Sequence, residues 1–265
     1  MANQPAITCA PVHSEMDHAL ETAGQPRGLM AFCADITLTH QPAYQRWHNN
    51  EHIPERLAIP GFVRGRRYRS VKNSSRFLMY YDTVDLEVLT SDAYLARLNA
   101  PTLRTSTALK WFENGSRTAY ELMASCGAVE KAAPPIIASL RYALPGSAAN
   151  INKWPHWNNG ESLRQLAEQL GLERVLAYQL NEQGSQVSTG EAHVHKAEPS
   201  NVGGLLMLHS QNLELLDNSN AWQSLSLLVS KWAKSNTLVG EIDADIYSLE
   251  FAMESDSKAS DRGRL

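Results

Sequence analysis

The sequence holds only three cysteines, Cys9, Cys33 and Cys126, an odd number scattered along the chain. They form no CxxC pair and suggest no disulfide framework, which favours a reducing compartment. No run approaches the roughly 18 to 20 apolar residues of a membrane span. The polar, proline-broken first residues lack the apolar core of a signal peptide, so a cytoplasmic protein is expected. Neither sign of charge dominates: a net charge of -4 gives no pull toward nucleic acid or an anionic membrane. The motifs GxGxxG, the P-loop and G-x-S-x-G are all missing, and dinucleotide, nucleoside triphosphate and serine-hydrolase chemistry lose their support. What remains is an ordinary globular composition over 265 residues, long enough for one large domain or two of roughly 100 residues each.

What is present is a repeat. The segment 47–68, WHNNEHIPERLAIPGFVRGRRY, slid by 110 residues, falls on 157–178, WNNGESLRQLAEQLGLERVLAY. Without a gap it matches Trp47 to Trp157, Asn49 to Asn159, Glu51 to Glu161, Gly61 to Gly171, Arg64 to Arg174 and Tyr68 to Tyr178. FLMYYDTVDLEVL from Phe77 is echoed by LLMLHSQNLELL from Leu205 with one deletion, and Asp92-Ala93-Tyr94 by Asn220-Ala221-Trp222. Thr118 to Leu122 is echoed by Asp245 to Leu249, and LMAFCADI from Leu29 by IIASLRYAL from Ile136.

Each copy reads strand, helix, strand, strand, helix, strand. In the first, strands are expected at about 29–37, 62–71, 76–83 and 116–124. One helix opens near Pro42 and closes at Pro60-Gly61, and a second helical region covers about 91–110. The second copy repeats this over about 136–251, with an insertion at 184–203 between its middle strands. The expected fold is α+β: two tandem ferredoxin-like βαββαβ units packed sheet to sheet as a dimeric-type α/β barrel within one chain. The organisation expected is a flexible segment at 1–27, the first unit at 28–127, a linker at 128–135, a second, degenerate unit at 136–253 and a flexible tail at 254–265.

The repeat is an internal control. Residues in both copies, Trp47, Gly61 and Tyr68, read as scaffold that closes the helix on the sheet. Polar residues of one copy only are not demanded by the fold: His48, His52, Arg66 and Arg67 face Asn158, Ser162, Leu176 and Ala177. His48 and His52 are four apart and share a helix face, with Glu51 beside them. Pro54 disfavours helical geometry at Ile53 and should kink or end the helix just after His52. A histidine at such a break suits general acid/base work, with Glu51 to orient it; the plain alternative is drift in the second copy and exposed helix histidines.

His48-Asn49-Asn50-Glu51-His52 also fits the zinc pattern H-x-x-E-H, but a third ligand is missing from the segment and the proline interrupts the helix. No metal or cofactor is assigned. His193 and His195 form an HxH in the insertion and read as solvated. Arg64, Arg66 and Tyr68 share one strand face, Gly65, Arg67 and Arg69 the other. A guanidinium pair from this strand suits an enolate or carboxylate oxygen; a solvated edge is the alternative. Asp35 stands at the rim of the small-residue face of the first strand. Tyr80 and Tyr81 point to opposite faces, and one of them suits the pocket; Tyr80 is carried as the candidate.

The segment YQRWHNNEHIPERLAIPGFVRGRRYRS resembles the dimeric α/β-barrel superfamily, especially its EthD-like branch, over about 28–123. There a helix carries an aromatic residue and a histidine shortly before a proline-containing turn and a strand ending in Arg-Tyr. The resemblance implies His52 as the family histidine, Trp47 as the helix aromatic, and a small hydrophobic pocket. Fold alone does not decide the reaction in such a superfamily. The leading expectation is a cofactor-independent lyase, isomerase or cyclase of small-molecule catabolism, acting on a small aromatic, polyketide-like or lactone-like carbonyl compound. His52, His48 and Glu51 would handle protons, and Arg66, Arg67, Tyr68, Trp47, Asp35 and Tyr80 would line the substrate. The alternatives are a non-catalytic small-molecule-binding or assembly protein and a haem- or metal-dependent oxygenase. A small-molecule partner is expected, without nucleic acid or membrane, and homodimerisation is left open.

Overall fold

The structure, a computed structural model, describes residues 9–11, 25–129, 132–142, 161–195, 198–199, 203–211 and 242–256. The fold is mixed α+β, and the described residues divide into two compact units.

The first unit takes residues 26–121, 180–195, 198–199 and 247–256. Its strands are β2 (Gly28–Asp35), β3 (Phe62–Ser70), β4 (Arg76–Thr83), β5 (Glu113–Gly127) up to Glu121, and β10 (Ile242–Glu254) from Tyr247. They pair antiparallel in the order β5, β2, β4, β3, β10. The two-residue strand β8 (Glu198–Pro199) lies parallel to β5. β2 and β4 are buried along almost their whole length, and apolar residues accordingly run through GLMAFCAD without alternation. β10 occupies the outer side of β3, from Tyr247 opposite Ser70 to Glu254 opposite Arg64, so β3 has a partner on both sides. Glu250 there accepts from Arg67 at 2.9 Å and from Arg69. Two of the four strand arginines are thus tied into the structure rather than set out in solvent.

The helices begin with α1 (Gln41–Trp47), which carries Pro42 in its first turn, where no N–H is needed. Pro54, where a kink or an end is expected, does not end the helix. It lacks the N–H that the Asn50 carbonyl would take, and its ring crowds that carbonyl. The chain responds by widening into a π-turn over His48–His52, with the Ile53 N–H reaching back to the His48 carbonyl, and then continues as α2 (Ile53–Leu57). The second helical region breaks at Pro101 into α3 (Asp92–Asn99) and α4 (Leu103–Ala108). Each has a side-chain cap, Ser91 accepting from Tyr94 N and Thr102 from Thr105 N.

The insertion between β7 (Arg174–Asn181) and β9 (Gly204–Ser210) is built into this same unit. Its short helices α6 (Glu182–Ser185) and α7 (Gly190–His195) are held by Arg117, which donates to the Gly184 carbonyl at 2.7 Å, and by Ser185, which accepts from Ala119 N at 2.9 Å. Gly190 N donates to Asn99 Oδ1 at 3.1 Å.

In the second unit β9 (Gly204–Ser210) lies antiparallel between β6 (Ile136–Tyr142) and β7 (Arg174–Asn181). The helix α5 (Glu161–Leu170) buries Leu163, Leu166 and Ala167 in a core with Ala138, Val175 and Leu208. Gly61 and Gly171, matched in the repeat, both stand at positive φ, +91° and +61°; that conformation is open to glycine and strained for other residues. The expected second helix of this copy, around Asn220-Ala221-Trp222, and the Trp157 match lie outside the described residues.

β1 (Cys9–Pro11) pairs antiparallel with β5 so that Cys9 stands opposite Cys126. Cys126 is disulfide-bonded and Cys33 is free. The expectation, from spacing, of no disulfide framework is therefore corrected: strand register, invisible in sequence spacing, brings distant positions opposite one another. Among the described residues no helix is long and apolar enough to cross a membrane.

Candidate functional site

On the helix-covered face of the first unit's sheet, Met30 and Phe32 of β2 and Met79 of β4 wall a cavity with Leu98, Leu109 and Phe112. It encloses about 490 Å³ of non-atom space, open solvent at its mouth included. Set into this apolar wall are His48, His52, Arg56, Tyr81, Arg117 and Glu191.

The state of His48 follows from its partners. Arg67 Nη1 lies 3.1 Å from its Nδ1; a guanidinium only donates, so Nδ1 accepts and the neutral ring carries its hydrogen on Nε2. That hydrogen faces the Tyr81 hydroxyl at 3.3 Å. Arg67 is itself fixed by Asn49 Oδ1 at 2.7 Å and by Glu250, and its guanidinium lies 5.5 Å from the Tyr44 ring centroid. Burial, and then the charges of Arg67 and Arg56, hold His48 well below the usual histidine range, so it is neutral at neutral pH. Burial pushes the Tyr81 phenol well above its ordinary range. Tyr81 therefore accepts from His48 and keeps its own O–H to give.

Arg56 is buried to 1% exposure. Its Nη2 donates to Glu191 at 2.5 Å, and Glu55 lies 3.6 Å from Nη1, which makes no hydrogen bond within the protein. Burial, the largest single effect, works against its charge, but Glu191 together with Tyr94 and Tyr81 outweighs it and its pKa is raised. Glu55 also meets Arg97 at 2.8 Å. The Tyr94 ring sits beside both guanidiniums, 5.8 Å from Arg56 and 6.0 Å from Arg117. His52 packs at 4.5 Å on Trp47, 5.5 Å from His48 and edge-on to Tyr81.

Of the residues expected from sequence, the structure brings His48 and His52 to the cavity. Trp47 supports His52 and donates to Thr105 Oγ1 at 3.2 Å. Arg67 reaches the cavity only through His48. Glu51 turns away: it accepts from Thr102 at 2.5 Å and Thr105 at 3.4 Å, so it orients neither histidine. Arg66, Tyr68 and Tyr80 lie on the other face of the sheet, Arg66 donating to the Tyr80 hydroxyl at 3.0 Å and Tyr68 stacked on Tyr80 at 5.7 Å. Of the tyrosine pair it is Tyr81 that lines the cavity. Asp35 is tied at the end of β2 to Arg76 at 3.3 Å and Asn114 at 2.8 Å.

Sequence reasoning missed Arg56, Tyr94, Arg117 and Glu191. Arg56 carried a signal: it stands four residues after His52 and, in the repeat, falls on Leu166. Glu191 carried none, since the insertion has no counterpart in the first copy.

The donor set does not form a metal site held by several side chains. The Nδ1 lone pair of His48 is taken by Arg67, Glu51 faces elsewhere, and the guanidiniums of Arg56 and Arg67 repel a cation. Among the described residues no three His, Cys, Asp or Glu side chains group as ligands. His193 and His195 fall on α7 with side chains outside the described residues.

No family model matches the chain, and no curated protein matches it in sequence. Among solved structures it is similar to an anthrone oxidase-like protein, with 10% identity and a TM-score of 0.56 over 89% of this chain and 96% of that one. It is also similar to a protein provisionally named a monooxygenase from Fusobacterium nucleatum subsp. nucleatum, with 6% identity and a TM-score of 0.51 over 86% and 94%. These neighbours correct the expectation of a cofactor-independent lyase, isomerase or cyclase: the proteins that share the fold carry oxidase and monooxygenase names. The turned-away Glu51 removes part of that expectation's proton machinery as well. They share a ferredoxin-like fold with this chain and do not single out the EthD-like branch. What the likeness shows is the fold, a mixed α+β chain of the ferredoxin-like kind.

Proposed function

We propose that the chain is an oxygen-consuming enzyme, an oxidase or monooxygenase of a small aromatic ketone or phenol. The observation that carries this reading is the make-up of the cavity: apolar walls around the Tyr81 hydroxyl, held by neutral His48, and the buried Arg56 guanidinium. Such a site favours a flat, hydrophobic ligand that presents an acceptor oxygen. The oxidase and monooxygenase names of the fold neighbours give the reaction class.

An anthrone serves as the worked case. Its methylene carbon loses two hydrogens and gains one oxygen atom of O2 as a second carbonyl; the other oxygen leaves with those hydrogens as water. Tyr81 and Arg56 donate to the ketone oxygen as it takes on enolate charge. His52, which lines the cavity, accepts the methylene proton. The methionine and phenylalanine walls keep water from the electron-rich enolate while O2 reacts with it. The second unit is read as a copy of the same plan that kept an aliphatic core.

Oxygen uptake by the purified protein with anthrone, together with the appearance of anthraquinone, tests this. Acceleration over the spontaneous reaction, one labelled oxygen atom per quinone from 18O2 and loss of the acceleration in Tyr81→Phe are expected. Tight binding of anthrone without oxygen uptake would make the protein a binding protein instead.

A further inference from the structure

Of the charged groups that line the cavity, Arg56 and Arg117 are cationic and Glu191, 5% exposed, is acidic; Glu55, half-buried and off the lining, lies 3.6 Å from Arg56. Arg117 spends its donors on the Gly184 carbonyl at 2.7 Å and the Tyr94 hydroxyl at 3.3 Å. Glu55 is shared with Arg97, which lies toward solvent. Glu191 is thus the one acidic group that both lines the cavity and holds its arginine directly. It comes from the insertion, 135 residues along the chain from Arg56, and the helical position of Arg56 is filled by Leu166 in the other copy. A buried guanidinium without a partner is costly, so something must supply the negative charge. In this protein Glu191 does, before any ligand arrives.

From this we infer that Glu191 is the residue that sets the charge of the ligand, making the cavity select an uncharged acceptor and reject a carboxylate. A ligand carboxylate entering beside Arg56 meets the Glu191 charge and finds the guanidinium already neutralised. A ketone or phenol oxygen needs only a donor, which Tyr81 supplies. Replacing Glu191 by its neutral amide removes the negative charge held on Arg56, and an anionic ligand can then take its place. This rests on the reading of the cavity as the substrate site and adds the substrate's charge class to it.

The experiment compares two probes of nearly equal shape, fluorenone and fluorenone-4-carboxylate, by titration calorimetry against the wild type, Glu191→Gln and Glu191→Asp. The wild type is expected to bind the ketone and to bind the carboxylate at least ~10-fold more weakly. In Glu191→Gln the carboxylate is expected to gain about tenfold or more, with the ketone changed less than about threefold. Glu191→Asp, which keeps the charge, is expected to retain the wild-type preference. Folding of each variant is checked by its circular dichroism and by the ketone's own binding. Equal changes for both probes in Glu191→Gln, or a wild type that already prefers the carboxylate, would overturn the inference and leave the cavity as a ligand site. A wild type that binds neither probe removes the cavity as a ligand site, and the inference with it.

Discussion

At positions matched by the sequence repeat, the two units carry different side chains. Arg56 in the first unit and Leu166 in the second stand 110 residues apart in the repeat, one 1% exposed, the other fully buried. Tyr81 lies opposite Gly65 in the β3–β4 register, and Leu208 lies opposite Val175 in the β7–β9 register. Glycine at 65 matters to the tyrosine: a Cβ there would come within 3.0 Å of the Tyr81 ring and of Ile53. The second unit fills the same positions with leucine and valine and closes into an aliphatic core. The first sets aside that packing for a buried arginine, a phenol and a neutral histidine. Apolar burial is the cheaper solution for stability alone; the second unit also buries Arg174 and His209, so what sets the first unit apart is that its Arg56, Tyr81 and His48 meet at one cavity.

Making the first unit resemble the second has a graded set of consequences. Arg56→Leu removes the partner of Glu191 and leaves a buried carboxylate uncompensated, for a loss of about 3–5 kcal/mol. Arg56→Leu combined with Glu191→Leu should recover much of that, as urea unfolding of the single and double variants will read. Failure of the second change to rescue the first would mean that the pair does not act as a unit. Gly65→Val places methyl groups against Tyr81 and Ile53 and should cost about 1–3 kcal/mol by overpacking, with ligand binding lost alongside. Calorimetric unfolding measures the first effect and probe titration the second.

Acid should distinguish the two units through His48. Its folded pKa is depressed and its unfolded value is near 6.5, so the unfolded chain binds the proton first as pH falls. The stability contribution is whole above about pH 6.5 and declines below it, by at most ~1.4 kcal/mol per pH unit for this one proton, until the folded pKa is reached. His48→Gln should flatten that part of the stability–pH curve; an unchanged slope would show that His48 does not carry it. The smallest change in binding is expected from Tyr80→Phe. It breaks the bond from the charged Arg66 on the other sheet face, at about 1.5–3 kcal/mol of stability, and should leave probe binding as it was. A large loss of binding there would move the site to the opposite face.

The first unit's plan could be read from the chain because it is local. Alternation and apolar runs placed β2, β3 and β4 within a residue or two, and Gly61 and Gly171 announced turns that only glycine makes easily. The histidine pair was visible from its spacing. The repeat was less reliable where a deletion had to be placed. Matching Phe77 to Leu205 sets Tyr81 against His209, whereas the register sets Tyr81 against Leu208. A slip of one residue turns every side chain of a strand to its other face, and nothing local in FLMYYDTVDLEVL marks where the deletion falls. The same parity explains why Tyr80, Arg66 and Tyr68 were grouped with the histidines: they are near in sequence and on the wrong side of the sheet.

The sequence by itself determined the order of strands and helices in the first unit, the glycine turns and the presence of His48 and His52 on one helical stripe. These depend on periodicity and backbone preference within a few residues. Tertiary structure alone decided which face of the sheet became the site, that Pro54 widens the helix instead of ending it, that Glu51 serves Thr102 and that Cys126 is bonded. It also decided that Arg56 is held by Glu191. Burying a charge is tolerable only with a partner at hydrogen-bonding distance, and that partner comes from a segment far along the chain, where no spacing rule reaches.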